Sequence, residues 1–121
     1  MTEKTPKPRI KIASTGFYAP EKVLTNADLE KMVDTTDEWI VSRSGIKERR
    51  IASAEQATSD LCIEAAGRAL HNGRLKVEDI DLIIVATASP DTLFPSTACW
   101  VQKGLQANHV PAFDISAGCT G

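Results

Sequence analysis

Cysteine is scarce in this sequence: it occurs only at Cys62, Cys99 and Cys119, with no CxxC spacing and in an odd number. That pattern argues against a disulfide framework and against a structural zinc site, and it predicts free thiols and no bound metal. No apolar run approaches the roughly 20 residues a bilayer span needs, so no membrane partner is expected. The first eleven residues are polar and basic, with Pro6 and Pro8, and lack the apolar segment of a secretory signal. The cytoplasm is therefore the expected compartment. A formal net charge of -2 gives no general attraction to nucleic acid. Neither a GxGxxG nor a Walker glycine-lysine pattern occurs, which argues against a dinucleotide or ATP site. Histidine is limited to His71 and His109.

What remains is an ordinary domain-forming chain. Its 121 residues, 42% of them hydrophobic, suffice for one domain with a core, and they show neither low-complexity tract nor internal repeat. Residues 1–8 read as a flexible leader and 9–121 as the body. Ile10 and Ile12 alternate with Arg9 and Lys11 and lead to Thr15-Gly16, predicting a first strand over 9–18 that Pro20 closes. Residues 26–53 read as a helical insert. Asn26 is placed to cap a short helix, the Thr35 to Glu38 capping box starts a second one that Gly45 ends, and a loop covers 46–53.

A longer helix is predicted from Thr58 or Ser59 to about Asn72, with Leu61, Ala65, Ala69 and Leu70 on its inner side and Gly73 just beyond its end. Leu82-Ile-Ile-Val-Ala86 is short, apolar and β-branched, as expected of a strand covered on both faces. Ser96 or Thr97 caps a helix carrying Ala98, Val101 and Leu105 inward, and residues 112–116 make the next strand. Strand, helix, strand in about 35 residues is a βαβ unit with parallel strands, so the fold class is α/β.

The chemistry concentrates where that unit ends. Ala117 and Gly118 permit a sharp turn at Cys119, the geometry of a nucleophile elbow, just past the strand end where ligands bind in open α/β sheets. A helix starting beyond it would favour the thiolate. The alternative reading of Cys119 is a small buried hydrophobe. Cys62 and Cys99, both on amphipathic helices, read as packing residues. Neither histidine suits Cys119 as a partner: His71 sits at a helix end, and His109 precedes the strand, roughly 20 Å away. Ser89 and Phe94 follow the other strand and share its edge. Trp39 and Arg43, four positions apart on one helix face, form either a stacking platform beside a cation or, on spacing alone the favoured reading, a packing contact with solvated charge. Lys47, Arg49 and Arg50 against Glu48 add a positive patch for phosphate or an acidic protein.

Four blocks, in order, carry a resemblance: Ile12 to Pro20, Asp34 to Arg50, Leu93 to Cys99 and Ala112 to Cys119. Together they resemble β-ketoacyl-[acyl-carrier-protein] synthase III, the condensing enzyme that initiates type II fatty-acid synthesis, over nearly the whole chain. The resemblance implies a thiolase-like fold of two similar α/β halves, a homodimer, and acyl-CoA and acyl carrier protein as partners. It implies no cofactor, since coenzyme A enters as part of a substrate. Cys119 would take the acyl group as a thioester, with its own backbone N–H helping to hold the oxyanion. Trp39 would stack on the adenine, Thr35 and Arg43 would line the nucleotide end, and Phe94 would border the acyl pocket of the other subunit. The family's histidine and asparagine, which polarise the malonyl carbonyl, match nothing in these residues. Alanine is commoner than Gly118 before the cysteine. The expected object is thus the first part of such an enzyme, incomplete alone. Alternatives are a non-catalytic coenzyme A or carrier-protein binding piece, a hydroxymethylglutaryl-CoA synthase, or an acyltransferase of secondary metabolism.

Overall fold

Residues 10–120 are described by the computed structural model, and they are built around two parallel strands, β3 (Ile83–Ala86) and β4 (Ala112–Ile115). Between them runs α4 (Thr97–Gly104), so the expected βαβ unit forms, with Ile83 opposite Ala112 and Ala86 opposite Ile115. Its core is Ile83, Val85, Ala98, Val101, Ala107 and Val110, all buried, with Cys62 and Ile63 of α3 (Thr58–Gly73) packed against it. Burying a side chain such as Val101 is worth roughly 1.5–3 kcal/mol.

Helix α4 starts in an unusual way. Its N-cap Ser96 makes no capping bond; instead the carboxylate of Asp114, in β4, accepts from the backbone N–H groups of Thr97 (2.8 Å) and Ala98 (2.7 Å). A strand residue thereby satisfies two orphan donors of the helix.

Residues 22–51 form a ribbon lobe. Strand β1 (Lys22–Thr25) pairs antiparallel with β2 (Glu48–Ile51), and α1 (Asn26–Leu29) and α2 (Asp37–Ser44) lie between them in sequence. Gly45 ends α2 at φ 73° as expected.

Several expectations are corrected. The strand expected over 9–18 does not form among 10–18, because the segment lies along α3 and not beside a strand. Ser14 donates to Ala69 O, Arg68 and Asn72 donate to the carbonyls of Phe17 and Thr15, and Gly16 comes so close to Ala65 and Ala69 that a Cβ would overlap their backbone. Residues 46–53 are not all loop, since β2 finds a partner in β1. Thr25, not Asn26, caps α1, through a box with Asp28; Thr36, not Thr35, caps α2 by accepting from Trp39 N. Gly73 lies inside α3, and Arg74 takes the left-handed position at φ 53°. Finally, β3 is covered on one face only: Ile83 and Val85 are buried, while Leu82 and Ile84 are exposed. The expected leader, 1–8, lies outside the described residues.

Candidate functional site

Parallel pairing brings the C-terminal ends of β3 and β4 to one edge, and the candidate nucleophile stands there. The ladder's last bond runs from Thr87 N to Ile115 O (3.1 Å). Beyond it, Gly118 adopts φ 54° and Gly118–Thr120 makes a single 3₁₀ turn, closed by Thr120 N and Oγ1 on Ala117 O. Cys119 is in the middle of that turn, exposed. The positive φ accounts for glycine before the cysteine, since an alanine there would be strained by about 1–2 kcal/mol. The helix expected to start after Cys119 lies beyond the described residues, and what they show at the thiol is this short turn.

The loop leaving β3 occupies the same edge. Ser89 is fixed at both backbone groups, its N–H on Thr87 Oγ1 (3.0 Å) and its carbonyl accepting from Thr58 Oγ1 (2.7 Å). Phe94, 90% exposed, follows five residues later in this loop. The other cysteines behave as packing residues. Cys99 is half-buried with its Sγ 3.3 Å from Ser96 Oγ; Cys62 is half-buried against the core, and burial, then the nearby Asp91 and Asp114 carboxylates, push its thiol up. Both histidines are exposed and away from the thiol: His71 is in the last turn of α3, and His109 precedes β4, whose far end leads to Cys119.

A second group gathers at the start of α2. Asp34, Thr35, Thr36 and Trp39 line a concavity of about 260 Å³, with Trp39 59% exposed. Arg43 stands one helical turn further along α2, exposed, and is not part of that lining. The structure therefore joins Thr35 to Trp39, leaves Arg43 beside them, and sets Cys119 and Phe94 apart on the βαβ unit. Of the expected positive patch, two members are already engaged. Arg49 donates to Asn26 Oδ1 (2.9 Å), and Arg50 donates to Pro20 O (3.2 Å) with Glu48 at 3.8 Å. Among the described residues no group of three or more His, Cys, Asp or Glu is placed to hold a metal ion, and no helix is long and apolar enough to cross a membrane.

Sequence reasoning overlooked two residues that organise these groups. Asp114 ties β4 to α4, and its signal was a carboxylate inside an apolar strand. Asn26, read as a cap, is instead buried and bonded to Asp37, Ile46 and Arg49.

No family model matches the chain. Curated relatives do. It is 66% identical over 110 residues to a β-ketoacyl-[acyl-carrier-protein] synthase III of Caldanaerobacter subterraneus subsp. tengcongensis, covering 91% of this chain and 33% of that protein. It is 59% identical over 111 residues to one from Campylobacter jejuni, covering 91% and 34%. Among solved structures, it superposes on the 3-oxoacyl-[acyl-carrier-protein] synthase III of Aquifex aeolicus with a TM-score of 0.87 at 57% identity, covering 92% of this chain and 36% of that one. The priming β-ketosynthase of the R1128 polyketide pathway matches with a TM-score of 0.87 at 30% identity, covering 96% and 36%. The chain spans about a third of the length of the curated relatives it matches.

Proposed function

We propose that this chain, which carries the sequence and the α/β, thiolase-like fold of the N-terminal third of the β-ketoacyl-[acyl-carrier-protein] synthase III family, supplies the acyl-accepting half of that chemistry. The observation that supports it most is an exposed Cys119 in a tight turn at the C-terminal edge of two parallel strands.

In this reading the Cys119 thiolate attacks the carbonyl carbon of an acyl-CoA, acetyl-CoA being the expected starter. The tetrahedral oxyanion is held in part by the backbone N–H at Cys119. Its collapse breaks the bond to the coenzyme A sulfur, which leaves as a thiolate and is protonated, and the acyl group stays on Cys119 as a thioester. Malonyl-acyl-carrier-protein then loses carbon dioxide. The electron pair left behind attacks the thioester carbonyl, and the Cys119 thiolate is released. Trp39 stacks on the adenine, with Thr35 and Arg43 at the nucleotide end; its large exposed face beside a concavity supports that role over packing. Phe94, exposed on its loop, borders the acyl pocket of a second subunit in a cytoplasmic homodimer. The histidine and asparagine that assist decarboxylation belong to the part of the family sequence beyond this match.

A second reading is favoured by the R1128 priming ketosynthase, whose corresponding third has the same fold. In this reading Cys119 and the α2 entrance keep the same roles, and the condensation primes a polyketide pathway.

Intact-mass spectrometry of the chain before and after incubation with acetyl-CoA tests the shared first step. One acetyl group, mapped to Cys119 and absent from Cys119→Ala, is expected. An unmodified Cys119, or acetylation at Cys62 or Cys99 in its place, overturns the assignment of the nucleophile.

A further inference from the structure

One buried polar side chain has no part in the chemistry just described, yet it is bonded on both sides of the helix that carries Trp39. Asn26 is 1% exposed, and along residues 21–56 no other residue is buried. Its Nδ2 donates to Asp37 Oδ1 (2.7 Å) and to Ile46 O (2.8 Å), and its Oδ1 accepts from Arg49 Nη1 (2.9 Å). Asp37 is the first residue of α2, Ile46 follows the glycine that ends it, and Arg49 belongs to β2. One amide therefore holds both ends of the helix and the neighbouring strand.

Nothing comparable holds α2 by packing. Its eight residues include no fully buried side chain, only the half-buried Ile40 and Val41, so its position leans on polar ties. The others near it are Glu30 Oε1 on Asp37 N (2.6 Å) and Asn26 N on Lys47 O (3.2 Å). The bonding also selects the residue type. Two acceptor oxygens and one guanidinium demand two donors and an acceptor from one short side chain, which asparagine has and aspartate lacks.

We propose that Asn26 is a positioning residue of the nucleotide entrance, fixing α2 so that Trp39 and Arg43 meet a coenzyme A nucleotide together. The proposal rests on the reading of Thr35, Trp39 and Arg43 given above. Isothermal titration of the 121-residue chain with coenzyme A itself tests it. Asn26→Ala that keeps the wild-type far-UV circular dichroism is expected to weaken coenzyme A about ten-fold or more, one lost positioning bond or two. Asn26→Asp, which keeps only the acceptor for Arg49, does not rescue. Val101→Ala, a core change that lowers stability without touching α2, leaves the affinity within about two-fold. Should Asn26→Ala not fold, Asp37→Ala removes the helix-side acceptor alone and is expected to weaken binding several-fold.

A second readout needs no ligand. In a Trp100→Phe background, Trp39 reports α2 alone, and its anisotropy decay is expected to gain a fast local component in Asn26→Ala or Asp37→Ala. Unchanged affinity in the folded variants, an equal loss in Val101→Ala, or an unaltered anisotropy decay each overturn the role of Asn26. A wild-type chain that does not bind coenzyme A defeats the reading of the entrance instead, and the anisotropy then decides Asn26 on its own.

Discussion

In the β3–α4–β4 unit, six apolar side chains are buried together, and polar contacts such as Asp114 on the start of α4 add to an existing core. In the lobe of β1, α1, α2 and β2 the buried side chain is an asparagine, and strand pairing, caps and its three hydrogen bonds supply the rest. Apolar burial is non-directional and worth more in sum, whereas hydrogen bonds fix geometry at a net gain of only about 1 kcal/mol each. The proposed nucleophile Cys119 thus rides on the part held by apolar burial, and the proposed nucleotide entrance on the part that is specified by direction and not by bulk. The chain has one tryptophan in each: Trp100 on α4, with Lys103 Nζ 5.6 Å from its ring centroid, and Trp39 on α2. Single-tryptophan variants therefore read the two regions separately.

The largest effect is expected from Asp114→Ala. It leaves the Thr97 and Ala98 N–H groups without their acceptor at a partly buried helix start, a loss of about 3 kcal/mol. Asp114→Asn keeps one acceptor oxygen and should lose about half as much. Urea titration read by Trp100 should show the shift; if Trp39 shifts equally, the two regions unfold as one cooperative unit and the contrast between them does not extend to stability. A smaller effect is expected of Thr36→Ala, which removes the acceptor for Trp39 N and costs about 1 kcal/mol. It should move the Trp39 signal while leaving Trp100 unchanged. An equal shift at Trp100 would make α2 part of the same cooperative unit as the core.

The same contrast explains what could be read from the residues. The βαβ unit was legible because an apolar run, a capped helix and a second strand at that spacing leave few alternatives, and the turn at Cys119 was legible because glycine marks it. The contacts that span long distances in sequence were not. Strand β2 reads Glu48-Arg-Arg-Ile51, with no apolar alternation to announce it, and it forms because β1 lies opposite. The segment 10–18 has the alternation but no strand beside it, so it packs along α3 instead. Adjacent cap formers, Thr25 with Asn26 and Thr35 with Thr36, do not separate by type alone, and in both pairs the chain uses the member that differs from the expected cap. At the site, Thr35 and Trp39 are neighbours in sequence and were expected together, whereas the work of Asn26 depends on residues up to 23 positions away.

Acid provides the gentlest test of the lobe. Asp28 closes the α1 capping box, its Oδ2 accepting from Thr25 Oγ1 (2.7 Å) and Thr25 N (3.1 Å), with Lys31 Nζ 3.3 Å from Oδ1. The Thr25 hydroxyl first, then the Thr25 N–H and then the Lys31 bond, hold its carboxyl below the ordinary carboxylate range. A carboxyl lowered by folding stabilises the fold above its unfolded value, about 3.9, and that contribution disappears as pH falls through the lower folded value. The Trp39-reported urea midpoint should therefore gain nothing from Asp28 titration between pH 7 and 5 and should decline only below about pH 4. In Asp28→Asn the box has lost its charge at every pH, so the difference from the wild-type chain should shrink towards zero as acid protonates the carboxyl. Because the pair with Lys31 is exposed, added salt should reduce that difference and leave the Trp100 midpoint out of it. A difference that persists undiminished below the folded value would mean that the Thr25 bonds to Asp28 do not depend on its charge, and that the lobe's directional contacts work as neutral hydrogen bonds.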